Sequence, residues 1–419
     1  MKAANRLAFA LALAFATPVH AGYLPDTAAV EAALLGSSAV SQARGEFAAQ
    51  TLRSEGLARG REEWMVSTDV AQRRIQTPVR DDQPEWGLAV LRPLRLPARA
   101  EADRALGSAL TAHAEAGLGE TLHESGRQLL ALWFDWLNEG SQAQLWRAQL
   151  QLGEQQLAAV NARIRLGEAP RSERVSSEAA LAQVRLQQQQ TAARAQQARS
   201  RLLAQFPSLP VAADETLPPP IHPEGTADDY VNAVLAHSHE LLRARRRAEA
   251  LQAEARQLAK RGGIDPSVGV FYRNEVGGNE HLLGLNVGLT LPGAARRFDR
   301  QAAEQLSATA QGEVIRLEQR LRQEARADFE AAVTQAANWQ QADRAARALD
   351  EAARLAARAY SLGEGSLDQV LLSRRLALEG RLQALQAQLA GLAADARLKL
   401  DAHRLWALDA GIDAAQAHP

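Results

Sequence analysis

The sequence predicts a mainly α-helical protein that carries a small β-barrel, written as two tandem copies of one helix–β-hairpin–long helix–helix unit. Three observations carry this. The chain is rich in Ala, Leu, Arg, Gln and Glu and only 5% aromatic, a usage that favours long helices and coiled coils. Two landmarks recur at nearly one offset. Leu94-Arg95-Leu96-Pro97 returns as Leu289-Thr290-Leu291-Pro292, 195 residues on, and Arg165-Leu166-Gly167-Glu168 returns as Ser361-Leu362-Gly363-Glu364, 196 residues on. Four short runs, two in each copy, alternate apolar residues with small or polar ones, as two-faced strands do.

Taken in order, Lys2 and Arg6 open the chain, Leu7 to Thr17 is apolar, and Val19-His20-Ala21 offers a small-residue cleavage site. Residues 1–21 therefore read as a signal peptide. The apolar run is shorter than the roughly 20 residues that a spanning helix needs. The first copy is expected at 22–205: a helix over 27–59, strands at about 62–76 and 84–97, a long helix over 98–165 and a returning helix over 171–205. Residues 206–225 hold six prolines, Pro218-Pro219-Pro220 among them, and make a stiff linker in which no helix continues. The second copy is expected at 226–405: a helix over 227–260, strands at about 266–275 and 282–292, a long helix over 295–361 and a returning helix over 366–405. A tail, 406–419, follows.

Leu378, Leu382, Leu385, Leu389 and Leu392 step by four and three, a heptad seam able to pack knobs-into-holes. Val175, Ala179, Ala182 and Leu186 repeat the pattern with smaller side chains. At roughly 1.5 Å per residue each long helix extends about 100 Å. The other helices are about half as long, so two of them end to end match one long helix.

Leu285, Val287, Leu289 and Leu291 alternate with Gly284, Asn286, Gly288 and Thr290. That pattern turns an apolar face to lipid and a small or polar face to water. Val268, Val270 and Tyr272 alternate with Ser267 and Gly269. Trp64, Val66, Thr68 and Val70 alternate with Met65, Ser67 and Asp69, and Trp86, Leu88 and Val90 begin the fourth run. Pro93 belongs near a strand end, because it cannot donate to a ladder. Beyond the signal, no apolar stretch approaches a membrane helix, so a membrane location must rest on strands closed into a barrel. Four strands are fewer than the roughly 8 that a barrel needs, so several chains would have to pool theirs. A half-buried sheet in a soluble periplasmic coiled-coil adaptor or scaffold is the alternative.

Other classes are poorly served. No cysteine is present, which excludes a disulfide framework and a lipidated N-terminal Cys. A net charge of −1 offers no footprint for nucleic acid. There is no HExxH, nucleophile elbow, P-loop or dinucleotide fingerprint, so neither an enzyme nor a cofactor is expected. His237 and His239 are two apart, on different faces of a helix, and His113 and His123 are ten apart, on nearly one face; both pairs read as solvated rather than metal-ligating. Arg243, Arg245, Arg246 and Arg247 read as a solvated face balanced by Glu249 and Glu254.

The doubled order of elements behind a signal peptide resembles the TolC-like outer-membrane efflux proteins, over essentially the whole mature chain. The Leu-x-Leu-Pro exits at Pro97 and Pro292 resemble the family's junction between β-barrel and helical barrel. Tyr360 to Leu371 resembles its second periplasmic tip and Ile164 to Glu173 its first. Leu132 to Leu137 and the compact loops lean toward the heavy-metal efflux branch.

The resemblance implies a homotrimer in outer-membrane lipid, with a twelve-stranded barrel and a periplasmic α-helical barrel. It also implies a passive duct, docked at its tips by a periplasmic adaptor that couples it to an inner-membrane pump of the RND type. The docking residues would be Leu166, Gly167, Glu168, Leu362, Gly363 and Glu364. The two glycines read as left-handed helix exits, the leucines as turn covers or adaptor contacts, and the glutamates as helix caps or adaptor partners. Tyr360 matches a family tyrosine linked to closure, and Asp368 and Gln369 join it as aperture candidates. The chain departs from the family in two places. The pore-narrowing aspartates align with Gln369 and Leu372, and an arginine is replaced by Gly365, so the bridging scheme is altered.

Overall fold

A computed structural model describes residues 22–60, 62–76, 81–211, 217–406 and 408. The expected signal peptide and most of the expected tail lie outside the described residues. Among the described residues eight α-helices and four strands follow in the order α1 (Thr27–Leu35), α2 (Ser38–Arg59), β1 (Met65–Ile75), β2 (Asp81–Pro93), α3 (Pro97–Arg165), α4 (Arg171–Gln205), α5 (Ala227–His237), α6 (His239–Arg261), β3 (Asp265–Glu275), β4 (Glu280–Thr290), α7 (Ala295–Ser361) and α8 (Leu367–Asp401). Among the described residues no helix is long and apolar enough to cross a membrane.

Two expected helices are each split by a serine. At 27–59 the chain breaks at Gly36-Ser37, where the Ser37 hydroxyl accepts from the Val40 N–H at 3.4 Å and starts a second helix. At 227–260 it breaks at Ser238, extended at φ −63° and ψ 110°, whose hydroxyl accepts from the Leu241 N–H at 3.1 Å. The last helix stops at Asp401 rather than 405. Pro97 is the first residue of α3, where its missing N–H has no helical partner to lose.

The long helices α3 and α7, of 69 and 67 residues, run about 100 Å each. Half-length helices cover them in two tiers. α2, α5 and α6 pack along the halves nearest the sheet, and α4 and α8 pack along the other halves. The α7 seam is mostly alanine: Ala325, Phe329, Ala332 and Ala336 step by four and three, then Ala346, Ala353 and Tyr360 by seven. On α8 the expected leucine seam is inward, with Leu378, Leu389 and Leu392 buried. On α4 the inward seam is Ser177, Leu181, Thr191, Ala198 and Leu202. The expected one, Val175, Ala179, Ala182 and Leu186, lies exposed on the outer side.

The main core sits at the waist, where the tiers meet. Leu129, Trp133 and Trp136 of α3 pack against Val30 and Leu34 of α1, Leu202 of α4, Leu400 of α8, and Phe206 and Trp406, which lie just past the ends of α4 and α8. The Trp133 indole N–H donates to the Tyr23 carbonyl at 2.9 Å.

The four strands form one antiparallel sheet in the order β1-β2-β3-β4. β2 ends at Pro93 rather than 97, and the next N–H, of Leu94, donates to the Pro266 carbonyl at 2.8 Å. A collar of ion pairs seats the sheet on the helices. Arg95 meets the Asp103 carboxylate at 2.8 Å and donates to the carbonyls of Ala58 and Leu57, at 2.7 and 2.9 Å. Asp265 is held between the guanidinium groups of Arg99 and Arg296.

Replacing Trp133 by Ala should lower stability by about 3–5 kcal/mol, through the cavity and the stranded Tyr23 carbonyl. Thermal unfolding of the purified protein checks this, and an unchanged midpoint would mean that the waist core is not what stabilises the helical stack.

Candidate functional site

Two regions carry the residues that the sequence singles out: the turns at the far ends of the long helices, and the sheet. At the first turn α3 ends at Arg165, Gly167 takes φ +76°, and the Glu168 N–H reaches back to the Arg163 carbonyl at 2.9 Å. At the second turn Gly363 takes φ +83° and the Glu364 N–H reaches the Ala359 carbonyl at 2.9 Å. Each is a left-handed helix exit of the Schellman kind, and a side chain at either glycine would be strained there.

The turns leave Leu166 73% and Leu362 66% exposed, so neither leucine covers its turn. Neither glutamate caps the next helix. α8 is capped by Ser366, whose hydroxyl accepts from the Gln369 N–H at 3.3 Å, and α4 starts behind Pro170 with no side-chain cap.

Behind the turns the four helix ends are tied together. The buried Tyr360 hydroxyl donates to the Glu173 carboxylate on α4. The Arg163 guanidinium of α3 lies over the Tyr360 ring, 4.5 Å from its centroid. Val160, Leu367 and Val370 pack beside it. Burial, and then the hydrogen bond to Glu173, push the Tyr360 phenol up to about 12, so it keeps the proton that it donates. Asp368 and Gln369 stand exposed on the first turn of α8, outside this knot. Sequence reasoning did not pair Tyr360 with Arg163 or Glu173. The one local signal was an acidic residue in the first turn of α4.

The sheet has two different faces. Strand pairing aligns Val66, Val90, Val270 and Leu285 in one row across all four strands, and Thr68, Leu88, Tyr272 and Leu283 in the next. On this face Leu283 is 80% and Leu285 76% exposed, and Val287 and Leu289 continue the band uncovered. Leu291, expected in the same strand, lies just past its end at Thr290. Aromatic rings flank the band. Trp86 and Tyr272 lie 5.5 Å apart at one end, and Trp64 lies under the Arg92 guanidinium at the other. From residue 64 to residue 70 is about 20 Å of strand. The opposite face is mixed: Ser67, Asp69, Arg273, Ser267 and glycines stand among Met65, Leu91, Phe271 and Leu282. β1 and β4 are outer strands, each with one unpaired edge.

No protein-family profile and no curated protein sequence matches the chain. Solved structures do. The Campylobacter jejuni CmeC outer membrane channel superposes with a TM-score of 0.75 at 12% identity, over 93% of this chain and 88% of that one. A membrane protein from Pseudomonas aeruginosa gives 0.74 at 16%, over 92% and 93%. The outer membrane protein VceC from Vibrio cholerae gives 0.67 at 14%, over 89% and 99%. The chain has the fold of the TolC-like outer-membrane channels. This TolC-like fold takes in the helices and the sheet alike, since the match to CmeC covers 93% of the chain.

Removing the charge that accepts from Tyr360, by Glu173→Gln, should loosen the tips of this channel-like fold. A hydrogen bond to a charged group contributes about 1.5–3 kcal/mol, so local amide exchange near 357–371 should rise about 10- to 100-fold without a change in global melting. Unaltered exchange there would show that the bond does not hold the tips.

Proposed function

We propose that this chain is one subunit of a homotrimeric outer-membrane channel, the passive export duct of a tripartite efflux system. The observation that carries the reading is the apolar-faced, open-edged sheet at one end of helices about 100 Å long. Leu285, Val287 and Leu289 face lipid, with Leu291 at the boundary. The unpaired edges of β1 and β4 meet those of neighbouring copies, since backbone groups in lipid must find partners. Three chains pool twelve strands into the barrel, and their helices form a tunnel through the periplasm. The exposed stripe Val175, Ala179, Ala182 and Leu186 on α4 suits close packing against another copy.

On this reading residues 1–21 are a cleavable signal peptide. Residues 22–205 and 226–405 are two copies of one structural unit, joined by the proline linker. The tips, Leu166, Gly167, Glu168, Leu362, Gly363 and Glu364, dock a periplasmic adaptor, with the bare leucines as the apolar contact and the uncommitted glutamates as partners for adaptor arginines. An inner-membrane pump of the RND type supplies the energy, so the channel itself catalyses nothing. The Tyr360–Glu173 bond holds the aperture closed, with Asp368 and Gln369 beside it. The adaptor opens the aperture by binding the open arrangement more tightly than the closed one.

The decisive test is fractionation of the expressing cell, followed by light scattering of the detergent extract. A trimer in the outer membrane is expected; a soluble periplasmic monomer or dimer would sink the duct and leave the scaffold. Leu285→Arg or Leu289→Arg should cut the yield of membrane-assembled trimer, because a cation on the lipid face costs about 2–4 kcal/mol at mid-bilayer. Normal yield in both variants would mean that this face does not meet lipid. Gly363→Val should abolish efflux-dependent resistance while the trimer still forms, and full resistance would remove the second tip from the docking surface.

A further inference from the structure

Beside the Tyr360 knot a cleft opens between α3 and α4 on one side and α8 on the other. Its volume is about 590 Å³, the size that holds one small ligand. Trp146 of α3, Leu181 of α4, and Leu378 and Leu382 of α8 form an apolar wall. Leu371, which packs against the Tyr360 cluster, also lines it.

Two polar groups in this wall are unmatched. The first is Ser177 of α4, only 4% exposed, whose hydroxyl has no hydrogen-bond partner among the described residues. A helical serine or threonine can spend its hydroxyl on the carbonyl one turn back, as Thr191 of the same helix does on Gln187 at 2.9 Å. Ser177 does not, and a buried hydroxyl without a partner is costly.

The second is Arg374 of α8, half-buried at the cleft. The other charged side chains there, Arg375 and Glu379, stand one turn apart and pair with each other at 3.8 Å. The nearby carboxylates of the packed helices are also taken: Glu154 of α3 by Arg185, Glu178 of α4 by Arg174, and Asp350 of α7 by Arg381. Among the described residues Arg374 has no ion pair or hydrogen bond. Burial alone pushes its guanidinium down from the ordinary value, with no carboxylate to offset it. A guanidinium fork in this state complements an anion with two or more oxygens. An inorganic anion would leave the apolar wall wet, and an uncharged apolar molecule would leave Arg374 unmatched. A ligand with both a charged head and an apolar body satisfies the whole cleft.

We propose that this cleft binds a small amphipathic anion, whose carboxylate or sulfonate head pairs with the Arg374 guanidinium and accepts from the Ser177 hydroxyl while its apolar body lies against Trp146, Leu181, Leu378 and Leu382. All the walls come from one chain. The stripe Val175, Ala179, Ala182 and Leu186, assigned above to contact with another copy, lies on the opposite face of α4 from Ser177 and Leu181. The site therefore does not rest on the trimer or on the duct.

The test is equilibrium dialysis of the full-length protein in a neutral maltoside detergent, with naphthalene-2-sulfonate as the probe and detergent alone as the blank. Saturable binding of one sulfonate per chain is expected, with the uncharged naphthalene-2-sulfonamide at least about tenfold weaker. Arg374→Gln should weaken the sulfonate about 10- to 100-fold, the range for a hydrogen bond to a charged group, and leave the sulfonamide unchanged. Ser177→Ala should weaken the sulfonate about two- to tenfold. An unchanged melting midpoint shows that each variant is folded. No saturable binding to the wild-type protein, or equal binding of the two compounds, would overturn the site whether or not the variants fold. So would full affinity for the sulfonate in folded Arg374→Gln.

Discussion

A helix of 69 residues gains little from its own hydrogen bonds and must be covered along its whole length, and the rest of this structure follows from that need. No single partner helix is long enough to cover α3 except α7, which carries the same need. The chain meets it with half-length helices laid end to end in two tiers. Where helix runs beside helix the seam is alanine, as at Ala325, Ala332, Ala336, Ala346 and Ala353, because small side chains let backbones approach. Where short helices end the surface is irregular and the gaps are filled by large rings, Trp133, Trp136, Phe134, Phe206 and Trp406. The size of the buried side chains thus tracks position along the stack. The same meeting of ends gathers His123, His237, His239 and His403 at the waist.

Charge plays a different part along the rims. Arg185, Arg194 and Arg201 of α4 reach Glu154, Glu139 and Asp135 of α3. Arg243 of α6 reaches Glu120 of α3, and Arg245 and Arg247 reach Glu318 and Glu313 of α7. Of the basic run read as a solvated face, only Arg246 uses Glu249 on its own helix. Each of these half-exposed pairs is worth less than about 1 kcal/mol. Their regular ascent along two helices still penalises a one-turn slip, which would misalign them all together. The pair of Arg95 with Asp103 is different, since it is nearly enclosed and also satisfies the last carbonyls of α2.

Much of this was legible in the sequence, for reasons that also explain what was not. The long helices show because apolar periodicity persists for so many turns, and the tips because glycine breaks it at Gly167 and Gly363. The breaks at Ser37 and Ser238 are hidden, since a serine cap is a local side-chain bond that leaves the apolar pattern intact. On α4 the more apolar stripe, Val175 to Leu186, drew the reading. The buried one contains Ser177 and Thr191, and the Thr191 hydroxyl is satisfied by the Gln187 carbonyl at 2.9 Å, so it can be packed away. The bond from Tyr360 to Glu173 joins residues 187 apart, and no one-dimensional pattern carries it. The strands were recognisable by alternation: β3 ends at Glu275 as expected, and the other strand ends lie one to four residues from their expected bounds.

The sheet is the part least able to exist by itself, and its inner details say how it is meant to curve. Among the described residues no α-helix packs under its apolar face. On the other face glycine stands opposite a larger neighbour: the Phe271 ring lies where a Cβ of Gly284 would be, and the Asp69 carboxylate where a Cβ of Gly87 would be. Glycines covered from the next strand let a sheet bend toward that side. A sheet bent toward its glycine-bearing face would be a strip of cylinder wall with the continuous apolar band outward. Such a strip leaves two bare edges, which in water invite pairing with other strands and in lipid find no partner at all. On the proposed reading, the glycine pattern, the edges and the apolar band are separate features of the sequence that further copies of the strip would satisfy together.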